Sequence, residues 1–266
     1  MAKLTIYSYL TEIIEETILA PAIGELWTRI DKEVLDSIPF FNVSEEFLNL
    51  IQKTGKVKLT KLGNLPRKVV DETYLSYLKR LDFTKHKEEL LINPSDSPFV
   101  HSVRFNLEVA GILQIKNGNL SLSQIGENLL LPGKRLELFK KVLTTFTLNF
   151  NWSFNDNFTD GPVGQFGFAY NLYLMDKFRD QKKKIPFYAE LYIKAFPRLL
   201  TAFEDEKFYP VVDQFLDCYY TRFCERFLEW FSLGNINRFR TRLIEKWNLV
   251  PSDNFGKIFV FNEWHD

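Results

Sequence analysis

Five side chains in this 266-residue chain are of the types that bind transition metals or pair as nucleophile and base: His86, His101 and His265, and Cys218 with Cys224. A structural metal site needs about four ligands, usually arriving as two close pairs. The histidines here are scattered. The cysteines lie six apart in a helical pattern, about 120° from each other around the axis, so they face different neighbours. They are expected to be buried small hydrophobes, and no metal or cofactor is expected. Asp156-Asn157-Phe158-Thr159-Asp160-Gly161 opens like a calcium loop but fails at the third position, Phe158, and at the twelfth, Gly167. Gly161, Gly164 and Gly167 lack the following Lys-Ser or Lys-Thr of a phosphate loop, so residues 151–167 are expected to be a flexible, Asn- and Gly-rich surface segment, with a gating loop as the alternative. No paired carboxylates and no nucleophile–base set can be named, which ranks an enzyme behind any binding function.

The remaining chemical signal is charge. Residues 53–68 carry Lys53, Lys56, Lys58, Lys61, Arg67 and Lys68 and no acid. Such a cluster is the composition of a phosphate-contacting surface. The first 50 residues carry nine acids against three bases, so Glu12, Glu15 or Asp31 could instead neutralise it. The whole chain has zero net charge, which gives no global field to attract nucleic acid. Arg238, Arg240 and Arg242 are spread around a helical pattern and suit either a solvated face or phosphate contacts.

Hydrophobic residues make up 45% and charged residues 26%, a globular balance. Two cysteines fit a reducing compartment. Glu12, Glu15 and Glu16 argue against a signal peptide, and no apolar run reaches the roughly 18 residues of a membrane span. A soluble, cytoplasmic protein without a membrane partner is expected.

The elements that would position these residues are mostly helices. Apolar spacing predicts helices at residues 4–20 and from Ile23 to Leu35, with Pro39 as a stop. A third would begin at Ser44 as N-cap and end at Gly55. Val57-Lys58-Leu59 is a short strand, and a helix follows with Pro66 in its first turn. Pro94–Pro98 is a linker. Residues 99–110 are helical, and Ile112–Ile115 and Leu120–Leu122 are strands joined at Asn117-Gly118, a turn that needs positive φ at both central residues. Ser123 caps the next helix, which Pro132-Gly133 breaks. Beyond it, helical patterns run through about 134–150, 168–182, 186–204, 210–232 and 236–247, and Lys257–Phe261 is a strand candidate. Phe139, Phe146 and Phe150, and Phe223, Phe227 and Phe231, recur at helical spacing and are expected in the core rather than on a base-stacking platform.

A phrase occurs twice: Leu59-Thr60-Lys61-Leu62-Gly63 and Leu122-Ser123-Gln124-Ile125-Gly126. Each precedes a helical pattern, as the exit of a wing does in a winged helix. The first copy with its continuation to Val70, and the Trp230-Phe231-Ser232-Leu233 stretch, resemble uncharacterised bacterial winged-helix-repeat proteins of the plasmid open-reading-frame and SEC-C-associated group. The usual glycine of the second motif is Ser232 here. The expected fold is therefore mainly α, with tandem winged-helix-like units carrying small hairpin wings and a helical C-terminal region. Its segments would be 1–95, 96–133 and 134–266, the last with a degenerate third wing at Leu243–Phe261. The resemblance transfers no catalytic residue. Two functions follow: nucleic-acid binding or regulation through Lys53, Lys56, Lys58, Lys61, Arg67 and Lys68, or a protein–protein interaction module built from winged helices that no longer bind DNA.

Overall fold

The computed structural model describes residues 30–80, 93–238 and 243–259. The expected helix at 4–20, most of the one from Ile23, and His86, His265, Arg240 and Arg242 lie outside them. The described chain is mainly helical with two small antiparallel sheets. None of its helices is long and apolar enough to cross a membrane. It divides into two compact units, Leu35–Phe150 and a second that joins Met1–Val34 to Asn151–Asp266.

At the start, Asp31 accepts a hydrogen bond from the Val34 amide (2.9 Å) and opens a short helix, α1 (Lys32–Asp36). In the first unit, α2 (Pro39–Thr54) begins at Pro39, which needs no amide partner there. Proline thus starts this helix rather than ending the previous one. Ser44 lies inside α2 and donates to the Phe40 carbonyl (2.7 Å) instead of capping. Phe40, Phe41, Val43, Phe47, Leu48 and Ile51 form its buried face. Gly55, at φ +75°, ends the helix and donates to the Ile51 carbonyl (2.9 Å). There follow β1 (Val57–Lys58), α3 (Arg67–Leu78) and α4 (Pro98–Val109), the last capped by Ser97. The hairpin β2 (Leu113–Lys116) and β3 (Asn119–Leu122) turns at Asn117 (φ 51°) and Gly118 (φ 70°), as the dipeptide requires. Ser123 accepts from the Gly126 amide (3.1 Å) and opens α5 (Gln124–Leu129), and α6 (Arg135–Leu148) completes the unit. Arg135 reaches from α6 to Glu45 on α2 (2.7 and 2.8 Å) and to Asp36 (2.6 Å).

The two copies of the repeated phrase do not fold alike. Leu59–Gly63 makes a tight turn, with Gly63 at φ +79° and open space around it. Leu122–Gly126 is a strand end running into a helix. There Gly126 is required by contact, since a Cβ would meet the Ile112 carbonyl oxygen at 2.3 Å. Nor does each copy build a wing. β1 pairs with β3, Val57 against Leu120 and Lys58 against Asn119, so all three strands form one sheet in the order β1-β3-β2.

In the second unit, α7 (Phe168–Lys177) and α8 (Ile185–Ala195) precede a 3₁₀ turn at Pro197–Ala202. The expected helix at 210–232 is α9 (Val211–Tyr219) running directly into a π-helix, Tyr220–Glu229. Phe215, Tyr219, Phe223, Phe227 and Phe231 lie along it, all at 0% exposure, with successive rings 5.3–6.2 Å apart. Where it is described, the region read as helix at 236–247 holds the end of a strand and a 3₁₀ turn at Ile244–Lys246, and the strand read at 257–261 begins inside a short helix. β4 (Gly234–Asn237) pairs with β5 (Asn248–Pro251), and Phe255–Ile258 is a short helix, α10.

Candidate functional site

In an antiparallel ladder, directly opposed residues point to the same face. Val57 and Leu120 oppose each other and are buried. The next row, Lys58–Asn119–Lys116, therefore points the opposite way, and both lysines are exposed. Strands about 5 Å apart put Lys58 and Lys116 roughly 10 Å from each other, with Asn119 between. Gln114 and Ser121, paired two residues further along, share this outer face. The C-terminal end of α2 borders it. Gln52, Gly55 and Lys56 line one cleft with Gln114, Lys116, Asn117, Asn119, Ser121, Leu122 and Glu127, enclosing about 630 Å³.

The lining is four amides, one hydroxyl, two ammonium groups and a single carboxylate. Two of the amides are partly used: Gln114 donates to the Leu122 carbonyl (2.8 Å) and Asn119 to that of Asn117 (3.0 Å). Such a surface donates hydrogen bonds and positive charge, which suits an anion.

All six bases expected from the sequence are exposed. They separate into two kinds. Arg67 and Lys68 lie on α3 and face Asp71 (3.7 Å) and Glu72 (4.0 Å) one turn on. Lys53, Lys56, Lys58 and Lys61, with Lys116 from the hairpin, enter no ion pair among the described residues. Asp31, one proposed neutraliser, accepts from the Val34 amide and forms no ion pair among the described residues; Glu12 and Glu15 lie outside them. Zero net charge conceals a division: Leu35–Phe150 holds sixteen Lys and Arg against twelve Asp and Glu, net +4, and the other unit is −4. Sequence reasoning missed Gln52, Gln114, Asn119 and Ser121, because only the pairing of β1 with β3 brings them beside the lysines.

Helix α4 carries no comparable surface. Phe99, Val100, Ser102, Val103, Asn106 and Leu107 are buried, Arg104 is 4% exposed and pairs with Glu108 (2.6 Å), and Asn106 donates to the Val142 carbonyl of α6 (3.2 Å).

In the other unit, the segment 151–167 is bound from beneath. Arg222, wholly buried, donates to Asp156 (2.5 and 3.3 Å) and to the carbonyls of Thr159 (2.8 Å) and Gly161. Arg226, four residues on in the π-helix, donates to the carbonyls of Phe154 (2.7 Å), Asn155 (2.8 Å) and Trp152 (3.4 Å). The segment expected to be flexible is thus held at five carbonyls and one carboxylate. The residues that resemble calcium ligands are committed elsewhere: Asp156 to Arg222, and Asp160 to the Ser153 hydroxyl (2.9 Å). Arg238 forms a fork with Glu229 (2.7 and 2.6 Å) and meets the Tyr220 hydroxyl, so it offers nothing to phosphate. Cys218 and Cys224 are fully buried; burial pushes the Cys218 thiol up to about 12 and that of Cys224 well above its ordinary value. Neither is a thiolate nucleophile. His101 lies 2.8 Å from the Ser95 carbonyl.

No protein-family model, no curated protein and no solved structure matches this chain.

Proposed function

We propose that Leu35–Phe150 is a single winged-helix-type unit, not a tandem pair, and that it acts without catalysis by holding nucleic acid through its phosphates. The order helix, strand, helix, helix, strand, strand, with the first strand beside the third, supports the fold reading. It keeps the likeness to bacterial winged-helix-repeat proteins but reduces it to one unit.

The observation that carries the functional reading is the set of exposed, unpaired lysines, Lys53, Lys56, Lys58, Lys61 and Lys116, around a polar cleft in a unit of net charge +4. The mode of contact differs from helix insertion. A recognition helix reads bases from exposed residues near its N-terminus, and α4 is buried there. Contacts confined to phosphate position a duplex without reading its sequence. The protein is thereby expected to bind with little sequence preference and strong salt dependence.

Fluorescence anisotropy with duplexes of unrelated sequence, across a salt series, tests this. Replacing Lys56, Lys58 and Lys116 by Ala should weaken binding equally for every sequence and reduce the slope of log K against log salt by about 3. Absence of binding at the lowest salt, or a slope unchanged in the triple variant, would refute it. The buried α4 favours the second reading, a winged-helix-type module that contacts protein, and that reading gains if no nucleic acid binds.

A further inference from the structure

Among the described residues, the two most exposed large apolar side chains are Phe208 (89%) and Leu62 (87%). Their surroundings are opposite. Phe208 sits in a stretch with four exposed acids, Glu204, Asp205, Glu206 and Asp213, and one exposed base, Lys207, whose ammonium lies over its ring (5.2 Å), in the unit of net charge −4. Leu62 follows the exposed Lys58 and Lys61, which make no ion pair among the described residues, and precedes Arg67 and Lys68, which face Asp71 and Glu72, in the unit of net charge +4.

Both apolar residues ride on turns that are already fixed. Gln214 donates to the carbonyls of Glu204 and Tyr209 (2.7 Å each), and the Tyr209 hydroxyl donates to Asp217 (2.6 Å), which holds the Phe208 turn from both sides. The Leu62 turn is closed by hydrogen bonds from Gly63 to the Thr60 carbonyl and from Thr60 to the Asn64 carbonyl (2.9 Å each). A rigid apolar residue ringed by charge costs little entropy to dock. The charge flanking each turn is opposite in net sign, four acids against Lys207 at one and the unpaired Lys58 and Lys61 at the other, which makes the sites complementary.

We infer that the Phe208 turn of one copy docks on the Leu62 corner of a second copy. Each copy carries both sites, so the contact closes as a reciprocal two-fold pair or extends as a ring or chain, and the sedimentation series tells these apart. This goes beyond the nucleic-acid reading and uses a neighbouring corner, sharing only Lys58 and Lys61 with it.

Sedimentation velocity on the full chain, over a concentration series at low and high salt and without DNA, decides it. The mean sedimentation coefficient should rise with concentration and fall with salt. Both apolar residues are exposed, so Phe208→Ala and Leu62→Ala should leave the fold intact, as circular dichroism will check, and each should weaken association roughly ten- to hundredfold. Reversing charge on one side only, by Glu204→Lys with Glu206→Lys or by Lys58→Glu with Lys61→Glu, should abolish it. A chain carrying both reversals should recover it. A wild-type chain that sediments as a monomer throughout overturns the inference, and so does association that ignores Phe208 and Leu62. The two proposals fail separately. A monomer that binds DNA removes this one, and a chain that associates as described but ignores DNA removes the preceding one.

Discussion

Removing the carboxylate of Asp156 should unfold the second unit more readily than any surface change. Its partner Arg222 is wholly buried and Arg226 beside it donates only to carbonyls, so Asp156 is the carboxylate hydrogen-bonded to this cluster, with Glu225 acting on Arg226 electrostatically. Breaking a buried pair from one side leaves an uncompensated charge and costs about 3–5 kcal/mol. Against a total stability of about 5–15 kcal/mol, that is a large share. For a unit of this size each kcal/mol moves the melting temperature by about 2–4 °C, so Asp156→Asn should lower it by roughly 6–20 °C. All five tryptophans, Trp27, Trp152, Trp230, Trp247 and Trp264, belong to this unit, and Leu35–Phe150 has none. Tryptophan fluorescence during urea unfolding therefore reads the affected unit alone. Asp156→Leu combined with Arg222→Met removes both charges and should recover part of the loss. A single Asp156→Asn chain within about 1 kcal/mol of wild type would show that the pair does not hold the segment, since ordinary surface changes already span half that range.

Two further outcomes are expected. Glu46 joins α2 to α3; burial raises its pKa, but hydrogen bonds from Ser76 and Arg80 outweigh this and hold it below the usual carboxylate value. Its folded pKa is the lower one, so its contribution is complete above the unfolded value and fades as pH falls through the folded value. Circular dichroism melts of Glu46→Gln should accordingly lose less stability than wild type on acidification below pH 4.5, and equal losses would exclude the linkage. The two glycines of the repeated phrase should also respond unequally. Gly63→Ala meets only backbone strain of about 1–2 kcal/mol. Gly126→Ala drives a Cβ into the Ile112 carbonyl and should cost clearly more in denaturant melts, and equal costs would contradict the contact.

Local chemistry was readable. Asn117-Gly118 turns where its positive φ preference puts it, Ser123 caps, and the phenylalanines at helical spacing are buried. The six bases were also found, because composition alone reveals them. What escaped depends on long-range contact. A two-residue strand such as Val57–Lys58 has no pattern that names its partner, so its pairing with β3, and the single sheet that results, could not be foreseen. The same holds for β4 and β5, four residues each, which pair with each other across residues 238–247. Loop composition was misleading at 151–167. Asn, Asp and Gly do suit flexible turns, but the order there comes from two arginines far along the chain.

That distance has a consequence for how the chain is made. Asp156 and Arg222 are 66 residues apart. At a synthesis rate of about 5–20 residues per second, the segment emerges roughly 3–13 s before its fastener exists. During that interval the carbonyls that the two arginines will hold have only water as partner, and Trp152, which ends buried against Phe227, lacks that neighbour. Slowing translation between residues 167 and 226 would lengthen this exposed period, whereas slowing it before residue 151 would not.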